Sequence, residues 1–342
     1  MEYGWNSTSY QILNPGFELW FSSVHDAVVG YVNAGGKRVA GGAPVSSLDT
    51  LRDVADEFER DGARAGHGVV YFGAEQRLGS LYEGTETHSK FLLGAQPSWD
   101  PKNWDGIVAS HSSLRAQLNR ARNKGVAVEL WSCGRAEQSP ELKTLLREWL
   151  GTRGLPPLHF LVEPETLGRL RDRRVFVASR GGTPVGFLVL SPIPARNGWL
   201  TEQFVRGHGA PNGTAELMID AAVRWTVEQH CVYVTMGLAP LSTRAGDFRN
   251  ASPLLQLGVH WLRAHARRFY NFEGLDSFKA KFCPDRWEAV YAISNERRYS
   301  LQSPYAVASA FTEAKPVRTV LAGIMGAIKQ ELRWMTGNVV ER

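Results

Sequence analysis

Apolar positions along the chain fall into two periods, and the switches between them outline the elements. Residues 18–24 and 28–32 are short strand-like runs, and Gly35-Gly36 predicts a hairpin turn into 37–40. Ser46 or Ser47 can cap a helix over 48–63, with Leu51, Val54, Ala55 and Phe58 on its inward face. Residues 69–72 read as a buried strand. Ser112 or Ser113 opens a helix through Asn123 that Gly125 closes, and 126–131 is again a strand. A helix over 140–150 runs into a segment at 151–157 rich in Gly and Pro, where the pattern places a domain boundary.

The second half repeats the order. It reads as a helix at 165–171, strands at 174–179 and 185–190 around Gly181-Gly182, and a strand at 199–205. A helix at 214–229, a strand at 232–236 and a helix at 253–268 follow. The resulting division is 1–138, a linking segment 139–156, 157–300, and a helical extension 301–342. The fold class is α/β, in two units.

A length of 342 residues suits two domains, and 43% hydrophobic with 21% charged residues is ordinary for a globular protein. The net charge of +5 favours anionic partners such as nucleic acid or an acidic lipid surface. Cys133, Cys231 and Cys283 are too sparse for a disulfide framework and lack zinc-site spacing, which fits a reducing compartment. No stretch reaches the ~18–20 apolar residues that span a bilayer, and the N-terminus lacks the pattern of a signal peptide.

Chemistry concentrates between Tyr270 and Phe282. Phe272, Leu275, Phe278 and Phe282 recur at helical spacing, with Lys279 and Lys281 on opposite flanks of the stripe. A cation at the edge of a packed surface suits an anionic or electron-rich partner. Arg115, Arg120, Arg122 and Lys124 form a basic run without an acidic residue; it reads as a solvated helix face or as a phosphate-binding one. Asn212, Gly213 and Thr214 lie between a strand and a helix N-terminus, where free N–H groups can hold an anion or a carbonyl. On the strand before them, simple alternation puts Glu202 and Arg206 on one face and Gln203 on the other. No Ser-His-Asp order, phosphate-binding loop or metal-ligand cluster stands out.

The run YNFEGL followed by FKAKF, then Pro284 and Trp287, resembles the signature of the C-terminal catalytic domain of lysyl-phosphatidylglycerol synthases. Residues 3–6, 92–101, 113–126, 210–216 and 237–242 match the same family in order, so the resemblance runs from the N-terminus to about residue 295. It implies tandem acetyltransferase-like (GNAT) domains and transfer of an aminoacyl group from aminoacyl-tRNA to phosphatidylglycerol or a related acceptor, with no cofactor. It implies catalytic roles for Lys281, Lys279 and Arg206. Substrate contacts would come from Glu202, Gln203, Asn212, Gly213, Thr214, Arg267, Tyr270, Asn271, Phe272 and Gly274, with Glu202 on the α-amino group. Arg115, Arg120, Arg122 and Lys124 would meet tRNA or lipid phosphates. The chain departs from the family at Gln203, where an acidic residue stands three before the arginine.

Family members often carry an N-terminal transmembrane region; this chain starts almost at the catalytic part and reads as a stand-alone, cytoplasmic version. Two rivals differ in class. One is a GNAT acyltransferase using acyl-coenzyme A, against which Pro211 removes a backbone donor from the Arg206–Pro211 loop. The other is a non-catalytic module binding membranes or RNA. Residues 316–335 predict an amphipathic helix with Leu321, Ile324 and Ile328 at the centre of its apolar face, suited to lie on an anionic bilayer or to pack on the second domain.

Overall fold

The computed structural model describes residues 1–152, 159–246, 271–300 and 302–312. Its strands are β1 (Glu18–Phe21), β2 (Val28–Ala34), β3 (Lys37–Gly41), β4 (Gly68–Glu75), β5 (Ser89–Trp99), β6 (Val126–Trp131), β7 (Arg174–Arg180), β8 (Thr183–Ile193), β9 (Gly198–Arg206), β10 (Tyr233–Thr235), β11 (Ala239–Pro240) and β12 (Arg286–Ser294). The longer helices are α1 (Leu51–Arg64), α2 (Trp104–Ser110), α3 (Ser112–Asn123), α4 (Pro140–Gly151), α5 (Thr214–Glu228), α6 (Phe272–Ala280) and α7 (Gln302–Phe311).

Two units of the same design share one sheet. In the first, β1, β2 and β3 are antiparallel neighbours, α1 follows, and β4 returns parallel to β3. In the second, β7, β8 and β9 are antiparallel, α5 follows, and β10 returns parallel to β9. This is the GNAT order, twice. Each unit then sends its next long strand across to the other: β12 pairs with β4, β5 pairs with β10, and β5 and β12 pair with each other at the centre. The spatial order β1-β2-β3-β4-β12-β5-β10-β9-β8-β7 therefore reads as a pseudo-twofold, with β6 added at the β7 edge. The exchange makes the sheet continuous although the elements come in two hairpin-led sets.

Burial explains the placement. On α1, Leu51, Val54, Ala55 and Phe58 are fully buried, as the 3.6 period requires, and Leu51, Ala55 and Phe58 share a core with Val69 and Tyr71. Leu114, Leu118 and Ala121 of α3 and Leu217, Met218, Ala222 and Val223 of α5 share a core over β7–β10. On the opposite face, Leu142, Leu145 and Leu146 of α4 cover Val177, Phe187, Val189 and Val205.

Several expectations are corrected. Residues 165–171 form only the short 3-10 turn Thr166–Gly168. That segment carries Pro164 and Gly168, two weak helix formers, and side chains hold its backbone: Gln203 Nε2 donates to Pro164 O at 3.3 Å. Strand alternation also fails at 202–203. Leu190 pairs with Thr201 but Val189 pairs with Gln203, so Glu202 is the extra residue of a β-bulge. Glu202 and Gln203 consequently both reach the 164–173 segment. The helix expected at 253–268, the expected helix at 316–335, Arg267 and Tyr270 lie outside the described residues.

Candidate active site

The N-terminus of α5 is shaped by a close approach. Gly213 has φ +94°, and a Cβ there would lie 2.1 Å from Gln117 O of α3. Only glycine satisfies both the left-handed backbone and the contact. Helix α3, carrying the basic run, is thereby seated on the start of α5. Thr214 is buried and its Oγ1 donates to Pro211 O at 2.7 Å, whereas Asn212 is exposed. Glu216 sits in the first turn, where a carboxylate complements the unpaired N–H groups and the positive end of the helix dipole.

Helix α6 brings the two signature lysines to different places. Asn271 caps it, accepting a hydrogen bond from Gly274 N–H at 2.9 Å. Phe278 stacks on Phe204 of β9 with ring centroids 5.5 Å apart, and Phe282, one residue past Lys281, is fully buried beside Trp104. Lys281 is partly exposed. It donates to the Glu216 carboxylate, with Nζ 4.6 Å from the Phe278 ring centroid. Lys279 is buried. Its Nζ donates to the carbonyl oxygens of Met236, Gly237 and Leu238, each at 2.8 Å. Burial pushes its pKa down to about 7, with Asp276 opposing the fall. Three acceptors match the three hydrogens of an ammonium, one more than a neutral amine can serve.

A further attachment of α6 is acidic. Asp276 accepts from Ser242 Oγ at 2.6 Å and from Arg244 Nε at 2.8 Å, and the Arg244 guanidinium lies 4.9 Å over the Trp287 ring. Between 240–244 and α6 opens a cleft of about 420 Å³, lined by Leu241, Ser242, Arg244, Phe272, Asp276 and others.

The remaining sequence candidates are spread out. Arg206 is exposed at the end of β9. Glu202 is held by Arg173 in a nearly buried two-point pair, at 2.6 and 2.8 Å, and accepts from Ser191 Oγ. Gln203 accepts from Thr166 Oγ1. Both side chains are thus engaged in fixing the 164–173 segment. Arg115 donates to the carbonyls of Val108 and Ala109 and closes α2, and Arg122 pairs with buried Asp220 at 2.9 Å. Arg120 and Lys124 are exposed, and neither makes an ion pair among the described residues.

Sequence reasoning missed a buried polar cluster on the sheet. Arg196 bridges Glu75 (3.1 Å) and Glu288 (2.7 and 3.1 Å), Tyr233 Oη donates to Glu288 at 2.7 Å, and Gln96 Nε2 donates to it at 3.1 Å. The N-terminal segment closes over this cluster: Ser7 N–H donates to Glu75 at 2.9 Å, and Trp5 lies under the guanidinium of Arg196 at 5.0 Å. Burial pushes Glu75 up to about 7 despite Arg196. Gln96 fell within a recognised segment, but nothing in the spacing tied Glu75, Arg196 and Glu288 together.

Two GNAT-like units with a lysine-bearing helix laid across the second define an acyltransferase-type fold. The family model described as "Phosphatidylglycerol lysyltransferase, C-terminal" matches residues 1–294, and the chain belongs to that family. The phosphatidylglycerol lysyltransferase of Bacillus subtilis is 24% identical over 303 residues, which is 87% of this chain and 34% of that protein. The chain therefore spans about a third of the length of this curated relative. The solved L-PGS of Bacillus licheniformis superposes with a TM-score of 0.73 at 22% identity, covering 95% of this chain and 93% of that one. The C-terminal domain of a chain assigned as a lysylphosphatidylglycerol synthetase from Agrobacterium fabrum gives 0.73 at 19% identity, covering 90% and 93%. No helix among the described residues is long and apolar enough to cross a membrane.

Proposed function

We propose that this chain transfers an aminoacyl group from aminoacyl-tRNA to the hydroxyl of phosphatidylglycerol or a related acceptor. The observation that carries the reading, within this family, is the filled N-terminus of α5. A coenzyme A-dependent GNAT leaves that end open for a pyrophosphate. Here Glu216 puts a carboxylate into the first turn, Lys281 pairs with it, and α3 packs against Gly213. A pyrophosphate would have to displace Glu216 and take Lys281 from it, whereas an aminoacyl ester needs no such anion site.

The acceptor oxygen attacks the ester carbonyl carbon, and the carbonyl pair moves onto oxygen. Collapse of the tetrahedral intermediate expels the 3′ oxygen of the tRNA ribose, which takes the proton lost by the acceptor. Lys281, the more accessible signature lysine, stabilises charge developing on the reacting oxygens, and Glu216 orients it. Arg120, Lys124 and Arg206 offer exposed cations to phosphates of the tRNA or lipid. Glu202 and Gln203 shape the site by holding the 164–173 segment. The protein works at the cytoplasmic face of a membrane, where residues 316–335 supply peripheral contact.

The test is direct. Purified protein is mixed with tRNA charged with radiolabelled amino acid and with phosphatidylglycerol vesicles, and label is followed into the lipid fraction. Transfer in the wild type, reduced on the order of 10²–10³ in Lys281→Ala, is the expected result. An unchanged rate in that variant removes Lys281 from the chemistry. Thermal stabilisation by coenzyme A, with no loss of the tRNA ester, overturns the reading.

A further inference from the structure

The three carbonyls on Lys279 have a consequence on the other side of the chain. In a trans peptide the C=O and the following N–H point in opposite directions. Gathering Met236 O, Gly237 O and Leu238 O onto one ammonium at 2.8 Å turns the amide hydrogens of Gly237, Leu238 and Ala239 away from it. Gly237 N–H is taken by Thr235 Oγ1 at 3.0 Å. Ala239 pairs with Ala95 of β5. Among the described residues, Leu238 N–H has no acceptor.

The place of that amide matters. β10 pairs with β9 only at Tyr233, Val234 and Thr235, against Gly198, Trp199 and Leu200. Beyond this the two strands part, and the 236–238 segment borders the gap. A chain bending out of a sheet is free to rotate its peptides, and Gly237, with φ +66°, is the residue that permits the bend. A buried cation holding three consecutive carbonyls removes that freedom.

We propose that Lys279 is a positioning residue, which fixes the 236–238 backbone so that Leu238 N–H is presented as a hydrogen-bond donor to the oxyanion of the acyl-transfer intermediate. The ammonium itself touches no substrate. This rests on the acyl-transfer reading above and assigns different work to the two signature lysines: Lys281 faces the partly exposed side, and Lys279 acts through the backbone.

The experiment uses the full chain with charged tRNA and phosphatidylglycerol vesicles. Replacing Leu238 by the corresponding α-hydroxy acid exchanges its N–H for an ester oxygen and leaves the side chain in place. The expected result is a fall in kcat on the order of 10²–10³ with little change in KM, the size seen on removing one oxyanion donor. Lys279→Met should lose kcat similarly. In both variants, affinity for a phosphonate analogue of the tetrahedral intermediate should fall in step with kcat/KM, while affinity for a non-reactive 3′-aminoacylamino-tRNA stays put. A purely structural lysine would lower the unfolding temperature without separating those two affinities, and that result overturns the proposal. If Lys279→Met does not fold, the Leu238 ester variant still decides: wild-type kcat in it overturns the proposal. A wild type that leaves the aminoacyl ester of the tRNA intact overturns the acyl-transfer reading and this inference together, whereas an active wild type with an equally active ester variant overturns this inference alone.

Discussion

Glu75 should make the folded protein lose stability as the pH rises toward neutrality. Two carboxylates, buried Glu75 and partly buried Glu288, face one guanidinium, and their side chains are 6% and 19% exposed. Arg196 makes two contacts with Glu288 and one with Glu75. Burial disfavours the Glu288 anion too, but hydrogen bonds from Arg196, Tyr233 and Gln96 hold it below the ordinary carboxylate value. Glu75 is left with the smaller share of the cation, and burial raises it from 4.5 to about 7. A carboxyl whose folded value is raised favours the folded state fully below its unfolded value and loses that contribution as pH climbs through the folded one. Each pH unit between the two values carries about 1.4 kcal/mol, so this group alone should withdraw roughly 3 kcal/mol between about pH 4.5 and 7.

The perturbation is Glu75→Gln, which keeps an oxygen for Ser7 N–H and cannot ionise. Urea unfolding of both proteins, followed by tryptophan fluorescence at intervals from pH 5 to 8, is the assay. The variant should gain on the wild type steadily up to about pH 7 and then level off. Other titrating groups are common to the two proteins and cancel in the difference. A difference that stays constant over that range would show that Glu75 is ionised throughout and that Arg196 outweighs burial.

Three other changes follow from the same geometry. Arg173→Met strands the Glu202 carboxylate in a buried site and should cost ~3–5 kcal/mol, with part recovered in the Arg173→Met/Glu202→Leu double variant; equal stability of all three proteins by denaturant unfolding would refute the pairing. Gly213→Ala drives a methyl into Gln117 O at a left-handed φ and should lose on the order of 3 kcal/mol, read as a lowered unfolding temperature; a variant as stable as the wild type contradicts the contact. The double change Arg120→Glu/Lys124→Glu touches exposed side chains only, so the fold should be unaffected while tRNA affinity and its salt dependence both fall; a filter-binding slope identical to wild type removes α3 from the tRNA surface.

What could be read from sequence was what local periodicity encodes. The α3 and β6 boundaries, residues 112–123 and 126–131, are where the apolar pattern and Gly125 put them, although His111 and not a serine is the N-cap residue of α3. The repeated order of hairpin, strand, helix and strand was visible as well. The crossing of β5 and β12 was not, because a fully paired central strand takes its partners from distant sequence: Trp287 lies opposite Pro97, 190 residues away. The site shows the same division. The two lysines stood out, but helical spacing could only set them on opposite flanks. That one would be buried on carbonyls and the other paired with Glu216 depends on where α6 docks. The bulge at Glu202 defeated simple alternation, since an inserted residue leaves no mark on the hydrophobic pattern of its own strand.

The pseudo-twofold also supports placing the chemistry in one unit only. Both units have a parallel pair in which a strand after a helix returns beside the strand before it. In the first unit this pair is closed: β3 and β4 run together from Lys37 opposite Gly68 to Gly41 opposite Phe72, and Gly42 N–H extends the ladder to Phe72 O at 2.7 Å. In the second unit the ladder stops at Leu200 and Thr235, although β9 continues to Arg206. Backbone left unpaired in a covered sheet costs free energy unless other groups satisfy it. Here Lys279 takes the carbonyls of 236–238, and Phe278 stacks on Phe204 across the opening. Both side chains come from α6, so the helix that carries the signature is also the one that holds the open ladder. A zipped pair has no room between its strands for an acyl group, and a parted one does. The first unit, with its ladder complete, supplies β5 to the centre of the sheet and the N-terminal segment that closes over Glu75 and Arg196.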